Sequence, residues 1–302
     1  MKGSFILKHI GVIGLGNMGM AMANNIIKNG FGLVGYDLDS NRLQVLKGLG
    51  GEIAHSPKEV GRHADAVFVM VLNGEQVYQV VAGNDGLLES MEDGSSIIVT
   101  ATIEPKEIRE VAEVVFAKGI NLIDSPVSGG KSGAEDGTLT MMAAAPKEVF
   151  DANQDVLRAV GKNIFHVGEE MGLGQTVKGA LQAFIGASFT AIFESLVLGI
   201  KAGVEGETLF EVFSSSAVGS PLFRNCAQLI MDRQFENTGS HIGTMYKDLG
   251  ISMAMAKENG VPMFTTAAAY ELFQSGISLF PDQDNWSIVK LLEQIADTKV
   301  TR

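Results

Sequence analysis

Short apolar runs alternate with amphipathic stretches through the first half of the chain. The runs are rich in β-branched residues and most are apolar throughout, so the strands that they predict must be covered on both faces. Amphipathic stretches at residues 40–49 and 106–118 are typical of the helices between such strands. The pattern therefore predicts a parallel, doubly wound α/β sheet. The runs predicted as strands are residues 9–13, 32–36, 66–71, 96–100, 121–124 and 139–143.

The pattern changes near residue 168. Between residues 175 and 202 apolar side chains occur nearly all round a helical period, which predicts one buried helix of about 28 residues, or about 40 Å. The rest of the chain has few strand signals and is interrupted by Gly-Ser-Pro, Gly-Val-Pro and Phe-Pro sequences, so it predicts further helices. We expect an α/β domain at residues 1–168 and an all-helical domain at residues 169–302.

The chain has 302 residues and a formal net charge of −12. This length fits two domains whose cores need no disulfide support. The negative charge argues against binding to nucleic acid or to an anionic membrane surface, because both need clustered Lys and Arg. The single cysteine, Cys226, excludes an intramolecular disulfide, and we expect it to be a buried apolar side chain.

Two apolar segments bear on localisation. The run that begins at Ile10 resembles part of a signal peptide, but glycines interrupt it where a strand enters a turn. The longest uncharged apolar stretch, residues 179–193, is about 15 residues long, whereas a membrane-spanning helix needs about 20. We therefore expect a cytoplasmic protein that binds no membrane.

The strongest local motif is a glycine-rich turn between the first predicted strand and a helical stretch at residues 20–29. In such a turn the first glycine permits a tight bend, the second lets the backbone approach a pyrophosphate, and the third lets helix and strand pack closely. The helix N-terminus supplies amide donors to the phosphates. The motif alone also fits a purely structural turn. The cofactor-binding residues predicted here are Gly14, Leu15, Gly16, Asn17, Met18 and Gly19.

Asp37 supplies a second signal for a dinucleotide. It ends the next predicted strand, 18 residues after Gly19, close to the spacing at which a carboxylate binds the adenosine ribose in Rossmann-type sheets. A carboxylate there accepts hydrogen bonds from both ribose hydroxyls and repels a 2′-phosphate, so we predict NAD as the cofactor. Arg42 and Arg62 leave NADP open as the less favoured cofactor, and a solvated strand end is the alternative for Asp37.

Three further segments, taken with the glycine-rich turn, resemble the motifs of an enzyme family. They are Asp-Ser-Pro-Val-Ser-Gly-Gly at residues 124–130, Gly-Gln-Thr-Val-Lys at 174–178 with Gln182 four residues later, and Lys-Asp-Leu-Gly at 247–250. In order and spacing they are similar to those of the β-hydroxyacid dehydrogenases, over essentially the whole chain. The resemblance implies NAD-dependent oxidation of a small anionic hydroxy acid. It also implies a Rossmann-type domain joined by a long helix to an all-helical domain that forms a homodimer or homotetramer.

By this resemblance Lys178 is the catalytic lysine. Removing hydride from an alcohol carbon requires the hydroxyl proton to leave, and an amine accepts that proton once its surroundings disfavour the charged form. Without the resemblance, a lysine extending from a helix end into solvent is the better interpretation. Gln182 stands where the family commonly has Asn, one helical turn after Lys178. This departure resembles the L-threonate dehydrogenase branch and favours a polyhydroxylated four-carbon acid; a core-facing glutamine is the alternative.

The resemblance assigns the substrate carboxylate to Ser128, Gly129 and Gly130. Adjacent glycines let consecutive backbone amides point at one anion without a cationic side chain. A plain strand-to-helix turn is the alternative, since Pro126 also stiffens the segment.

Four further residues are assigned to the cofactor by the same resemblance. Lys247 corresponds to the lysine that reaches the nicotinamide end, and an ion pair with Asp248 or a surface charge is its alternative. Thr102 matches the second residue of a Ser-Thr pair near the nicotinamide, whose serine is replaced here by alanine. The loop residues assigned to the cofactor ribose are Leu72 and Asn73.

No metal site is predicted, because the five histidines fall in separate segments without ligand spacing. Within the enzyme class, a 3-hydroxyisobutyrate dehydrogenase and a tartronate or other semialdehyde reductase stay open as alternatives. An imine reductase of the same architecture and a non-catalytic cofactor-binding module are more distant, since Lys178 argues against both.

Overall fold

The computed structural model describes residues 8–302. All six predicted strands form, and the long helix begins and ends close to its predicted bounds. The strands are β1 His9–Ile13, β2 Gly32–Tyr36, β3 Glu52–Ile53, β4 Ala66–Val69, β5 Ser96–Val99, β6 Asn121–Asp124, β7 Val127–Ser128, β8 Leu139–Ala144 and β9 Gly161–Gly168. The helices are α1 Asn17–Lys28, α2 Ser40–Gly48, α3 Pro57–His63, α4 Gly74–Ala82, α5 Pro105–Phe116, α6 Gly130–Glu135, α7 Lys147–Ala152, α8 Gln154–Val160, α9 Leu173–Lys201, α10 Gly206–Ser215, α11 Pro221–Met231, α12 Ile242–Glu258, α13 Phe264–Leu279 and α14 Val289–Ala296.

The strands form one sheet in the order β3-β2-β1-β4-β5-β6-β8-β7, with β9 paired to β8. Strands β1 to β6 are parallel to one another, whereas β8 is antiparallel to β6 and β7 and parallel to β9. The order reverses between β1 and β4. In parallel sheets the loops diverge at such a point and leave a crevice for a ligand. The glycine-rich turn directly follows β1, so it lies at this reversal.

Both faces of the sheet are covered, as the continuous apolar runs predict. Strand β4 has no exposed residue. Ala66 and Phe68 belong to one buried cluster, which includes side chains from α1 and α8, and Val67 and Val69 belong to another, which includes side chains from α4 and α5. The predicted Rossmann-type doubly wound architecture is therefore confirmed for the first part of the chain.

The chain divides into two units, residues 1–178 and 179–302, and the division falls inside α9. The predicted boundary, after residue 168, lies just before that helix. The second unit is all-helical, with a core that includes Phe193 and Trp286. Helices α9 and α12 pack closely, because a Cβ on Gly186 would lie 2.6 Å from Cδ2 of Leu249. Cys226 is buried in the same core, as expected, and this burial raises the pKa of its thiol well above the usual value.

Helix α9 has the length and composition of a membrane-spanning helix. It has 29 residues, and its most apolar window of 18 residues has a mean hydropathy of 1.8. The uncharged stretch at residues 179–193, about 15 residues long, is therefore shorter than the apolar part of this helix. The core helix of a soluble protein also meets this criterion. On α9, Phe189, Phe193 and Leu196 are buried in the core of the helical unit.

Candidate active site

Two glycines of the glycine-rich turn are required by local packing. Gly14 has a φ of +88°, and a Cβ there would lie 2.2 Å from the backbone oxygen of Met70. A Cβ on Gly19 would lie 1.8 Å from the backbone oxygen of Gly14. Strand, turn and helix therefore meet too closely for any other residue at these two positions.

Gly16 is different, since the surrounding protein does not require a glycine there. Its φ is −64°, and a Cβ would meet only the Arg42 Nη1 atom, at 3.8 Å. Gly16 directly precedes α1, and as a glycine it has no side chain that could accept hydrogen bonds from the amides of the first turn. That turn contains no acidic residue. The turn thus fits a dinucleotide, because amide donors at a helix N-terminus lie beside a backbone position with room for a phosphate.

Asp37 follows β2 and binds the glycine-rich turn directly. Its Oδ2 atom accepts a hydrogen bond from the Leu15 amide at 2.6 Å, and its Oδ1 atom accepts one from the Asp39 amide at 2.8 Å. Arg42 Nη1 lies 3.3 Å from Oδ2. The Asp37 side chain is 9% exposed, whereas that of Arg42 is 49% exposed. Two backbone amides therefore fix the carboxylate beside the turn, and a surface arginine partly balances its charge.

The segment after β6 forms β7 and then a turn with two glycines in the left-handed region. Ser128 pairs with Thr140 of β8. Gly129 and Gly130 have φ values of +132° and +61°, which other residues rarely adopt. Both glycines are exposed. Successive amides in a turn of this kind are suited to converge on one anion.

Lys178 lies near the start of α9, and its side chain reaches the same segment. Its Nζ atom donates a hydrogen bond to the backbone oxygen of Val127 at 2.9 Å, and the residue is 7% exposed. Lys178 is therefore a buried amine and not a lysine that extends into solvent. The structure brings two predicted groups together here, since Val127 directly precedes Ser128.

A buried pair, Asp124 and Gln175, binds the start of α9 to the carboxyl ends of β5 and β6. Oδ2 of Asp124 accepts hydrogen bonds from the Gly172 and Gln175 amides at 3.0 and 3.3 Å. Its Oδ1 atom accepts a hydrogen bond from Gln175 Nε2 at 2.9 Å. Gln175 Nε2 also donates to the Ala101 oxygen at 3.1 Å, and Oε1 accepts from the Ile103 amide at 3.0 Å. Burial raises the pKa of Asp124 to about 6, although the hydrogen bonds from Gln175 and Gly172 act to lower it.

Gln182, Lys247 and Asp248 form a second group, within the helical unit. Gln182 Nε2 donates a hydrogen bond to Asp248 Oδ2 at 2.6 Å, and Lys247 Nζ lies 2.9 Å from Asp248 Oδ1. Gln182 and Asp248 are buried, while the Lys247 side chain is 33% exposed. The ion pair named as the alternative for Lys247 is therefore present. Gln182 is buried, as the alternative of a core-facing glutamine predicts, but its amide is hydrogen-bonded to the carboxylate of Asp248.

The remaining predicted cofactor residues follow β4 and β5, at the same edge of the sheet as the glycine-rich turn. Leu72 is 72% exposed, and its amide donates to Gln76 Oε1 at 3.0 Å. Asn73 caps α4, since its Oδ1 atom accepts from the Gln76 amide at 2.9 Å. Thr102 is half-buried. These residues lie at one edge because parallel strands end there together.

No role was predicted from the sequence for Asp124 or Gln175, and Asp248 was named only as the alternative ion-pair partner of Lys247, although all three lie inside the quoted motifs. The available signal was position: Asp124 is the only charged residue of an otherwise apolar strand end, and Asp248 adjoins a predicted cofactor lysine. Their hydrogen-bond partners are 51 and 66 residues away in the chain, so sequence spacing could not identify them.

Among residues 8–302, no group of three or more His, Cys, Asp or Glu side chains is placed to hold a metal ion.

Two family models match the chain. The NAD-binding domain of 6-phosphogluconate dehydrogenase matches residues 9–168, and the model described as the NAD-binding domain of NADP-dependent 3-hydroxyisobutyrate dehydrogenase matches residues 172–292. The first match ends with β9, and the second begins one residue before α9.

Individual relatives are similar over nearly the whole chain. The 2-(hydroxymethyl)glutarate dehydrogenase of Eubacterium barkeri is 33% identical over 97% of this chain and 97% of its own. The L-threonate dehydrogenase of Cupriavidus necator is 31% identical over 95% of this chain and 97% of its own. The crystal structure of 3-hydroxyisobutyrate dehydrogenase from Salmonella typhimurium is 30% identical, with a TM-score of 0.86 over 94% of this chain and 99% of that chain.

Proposed function

Because this chain belongs to the β-hydroxyacid dehydrogenase family, we propose that it oxidises L-threonate or a related sugar acid, with Lys178 as the general base. The chain is an NAD(P)-dependent hydroxy-acid dehydrogenase, and NAD is its cofactor. The family, enzyme class and cofactor predicted from the sequence are thereby confirmed. The particular acid and the role of each side chain are the content of the proposal.

The observation that carries the proposal is the hydrogen bond from Lys178 Nζ to the Val127 oxygen, at 2.9 Å. Oxidation of an alcohol requires the hydroxyl proton to leave as hydride departs from the same carbon. NAD, when bound, supplies the hydride acceptor. Lys178 as a neutral amine takes the hydroxyl proton on Nζ, and the Val127 carbonyl orients that nitrogen by holding one of its N–H bonds. In the reverse direction the ammonium protonates the nascent alkoxide.

The substrate carboxylate is assigned to the Ser128 hydroxyl and the amides of Gly129 and Gly130. Their φ values of +132° and +61° support this role, because such turns present successive amides to an anion. Amides and a hydroxyl bind a carboxylate without a cationic side chain, which suits an anionic ligand on a chain with a net charge of −12. The base then lies beside the carboxylate site, because Lys178 is hydrogen-bonded to Val127, which directly precedes Ser128.

Gln182 supports a substrate with several hydroxyl groups. Its amide nitrogen donates to Asp248 at 2.6 Å, so that the amide oxygen is oriented and serves as an acceptor for a substrate hydroxyl. Asp248 and Lys247 add an acceptor and a donor whose charges balance. A polyhydroxylated acid matches such a mixed polar group better than an acid with an apolar branch does.

A second candidate substrate is a dicarboxylic acid. The relative that acts on 2-(hydroxymethyl)glutarate is 33% identical, and Lys131, directly after Gly130, offers a cation for a second carboxylate. Lys131 Nζ lies 3.8 Å from Glu135 Oε1, and the Lys131 side chain is 41% exposed. The 3-hydroxyisobutyrate dehydrogenases are about as similar to this chain, and reduction of the matching semialdehydes is the same chemistry in reverse.

Asp37 supports NAD over NADP. Its carboxylate is fixed beside the glycine-rich turn by the Leu15 amide at 2.6 Å. A second anion at the ribose 2′ position would face this carboxylate, and the Arg42 charge is already shared between Asp37 and Asp39. Repulsion therefore disfavours a 2′-phosphate.

We further propose a cytoplasmic homodimer or homotetramer. On α9, Phe184 is 70% exposed and Leu198 is 72% exposed. They are separated by 14 residues, close to four helical turns, so they share one face of the helix. Large exposed apolar side chains aligned on one face are typical of a surface that binds another protein chain. Sedimentation of the purified protein tests this part.

A panel of hydroxy acids with NAD tests the substrate. L-Threonate, 3-hydroxyisobutyrate and 2-(hydroxymethyl)glutarate are each incubated with the enzyme, and NADH is followed by its absorbance. We expect L-threonate to have the highest kcat/KM. A higher value for either other acid would reject the sugar-acid substrate. Oxidation of none of these acids, together with no reduction of the matching semialdehydes by NADH, would reject the function as a whole.

A further inference from the structure

We propose that Asp124 and Gln175 are positioning residues for Lys178, which lock the first turn of α9 to the ends of β5 and β6. The inference rests on the proposed function, in which Lys178 is the base. Neither side chain is expected to touch the substrate. Their action is to fix where the Lys178 nitrogen lies relative to the Ser128–Gly130 segment.

Helix α9 is bound at two points to residues 124–127, which run from the end of β6 into β7. Asp124 Oδ1 accepts from Gln175 Nε2 at 2.9 Å, and the Val127 oxygen accepts from Lys178 Nζ at 2.9 Å. The two points are three residues apart on the helix, a rise of about 4.5 Å, and three residues apart on the segment. A single attachment would leave the helix free to rotate about it. Two attachments fix both the rotation of the helix and its position along its axis.

The buried carboxylate of Asp124 caps the N-terminus of α9, a role that a residue next to the helix in sequence usually fills. An ionised carboxylate is costly to bury unless strong donors surround it. Here the donors are the Gly172 and Gln175 amides, at 3.0 and 3.3 Å, which carry the partial positive charge of a helix N-terminus. The same contact therefore caps helix α9 and joins it to β6.

Gln175 extends this contact to the segment after β5. Its Nε2 atom donates to the Ala101 oxygen as well as to Asp124, and its Oε1 atom accepts from the Ile103 amide. The amide has only one workable orientation, because a flip would set its NH₂ group against the Ile103 N–H and its oxygen against the Ala101 oxygen. Thr102, which the family resemblance assigns to the nicotinamide, lies between these two residues. The same glutamine thus fixes the segments assigned to the base, the substrate and the nicotinamide.

The direct test is Gln175→Met, which keeps the side-chain volume and removes all three hydrogen bonds. We expect kcat for the hydroxy acid to fall about 10- to 100-fold, since a base displaced by about 1 Å loses rate on this scale. The KM for NAD is expected to change less than kcat does, because the glycine-rich turn and Asp37, which are assigned to the pyrophosphate and the ribose, keep their contacts. We also expect a shift in the pH at which kcat falls to half on the acidic side, because the surroundings of Nζ change. A purely structural defect would lower the amount of folded enzyme without moving that pH.

Thr176→Val is the matched control, since the Thr176 hydroxyl donates to the Gly172 oxygen at 2.7 Å in the same turn but does not bind the strand ends. It is expected to keep the kcat and pH profile of the wild type. If Gln175→Met does not fold, Asp124→Asn is measured in its place. Both oxygens of Asp124 accept hydrogen bonds from N–H groups, so the new NH₂ group of the asparagine must face a donor and breaks part of the attachment. The double variant is expected to lose no more than about twofold beyond the worse single variant, as parts of one unit do.

A folded Gln175→Met enzyme with wild-type kcat and an unchanged pH profile would overturn the inference. An equal loss in Thr176→Val would overturn it too, because any weakening of the turn would then suffice. Wild-type kcat in Lys178→Ala would instead remove the proposed function on which the inference rests. The two failures are therefore distinguishable.

Discussion

Gln182 donates a hydrogen bond to Asp248 across 2.6 Å, and both side chains are buried. Gln182→Asn shortens the amide by one methylene and withdraws it from Asp248. The amide oxygen that we assign to a substrate hydroxyl then loses its orientation, so kcat/KM for L-threonate is expected to fall about 10- to 100-fold, equivalent to ~1.4–2.8 kcal/mol. The value for 3-hydroxyisobutyrate is expected to fall less, because that acid lacks the additional hydroxyls.

The control for this prediction is Ser188→Ala, farther along α9, where the hydroxyl donates only to the Phe184 oxygen one turn before it. We expect Ser188→Ala to leave the ratio of the two kcat/KM values unchanged. If Gln182→Asn also leaves that ratio unchanged, Gln182 does not read the substrate hydroxyls.

Gly14 and Gly16 are expected to respond differently to alanine. Gly14→Ala places a Cβ 2.2 Å from the Met70 oxygen at a φ of +88°, so the protein should lose stability by more than the ~1–3 kcal/mol of backbone strain alone. Gly16→Ala meets only the Arg42 Nη1 atom, at 3.8 Å, so the fold should keep its stability while NAD binds more weakly. Thermal denaturation and NAD titration separate the two effects. Wild-type NAD affinity in Gly16→Ala would show that no phosphate approaches this residue.

Asp37 is expected to govern the choice between NAD and NADP. Asp37→Asn keeps an oxygen for the Leu15 amide and removes the charge that repels a 2′-phosphate. The ratio of kcat/KM for NAD to that for NADP should fall at least about tenfold, equivalent to ~1.4 kcal/mol. Asp39→Asn is the matched control, because Asp39 Oδ2 also lies near Arg42, at 3.6 Å, but is 45% exposed. An equal fall in both variants would assign the preference to Arg42 rather than to Asp37.

Asp124 is expected to make stability depend on pH. Burial raises its pKa from the ordinary 3.8 to about 6, so the folded protein binds this proton more tightly than the unfolded chain does. Its contribution to stability is fully present below pH 3.8 and is lost as the pH rises through about 6. Between pH 5 and pH 7 the wild type should lose about 1 kcal/mol relative to Asp124→Asn. Urea denaturation of both proteins measures this difference, and a difference that stays constant with pH would contradict the account.

The strands buried on both faces could be predicted because their apolar runs are continuous, as in β4. The pattern does not predict β3 and β7, which have two residues each, or β9. Within residues 8–302, strand β9 pairs only with β8, and it exposes Lys162, Asn163 and Phe165. It therefore carries no continuous apolar signal. An edge strand of this kind is defined by its partner more than by its own composition.

The candidate site could be predicted where sequence motifs define it, but not where it depends on contacts between residues distant in the chain. Lys178 was predicted through its motif, although a surface lysine would fit its position equally well by pattern alone. The hydrogen bond to Val127 that distinguishes the two spans 51 residues of chain. In the sequence, Gln175 resembles any residue in the first turn of a helix. Its amide lies between Ala101 and Ile103 only once the chain has folded.

The central claim is that Lys178 takes the hydroxyl proton, and kcat of Lys178→Ala with added methylamine tests it most directly. We expect kcat to fall about 10²- to 10⁴-fold without the amine and to recover in proportion to the neutral methylamine present. Lys201→Ala, at the other end of α9 where the side chain is exposed, is expected to keep wild-type kcat with or without the amine. Wild-type turnover in Lys178→Ala without any amine would contradict the account.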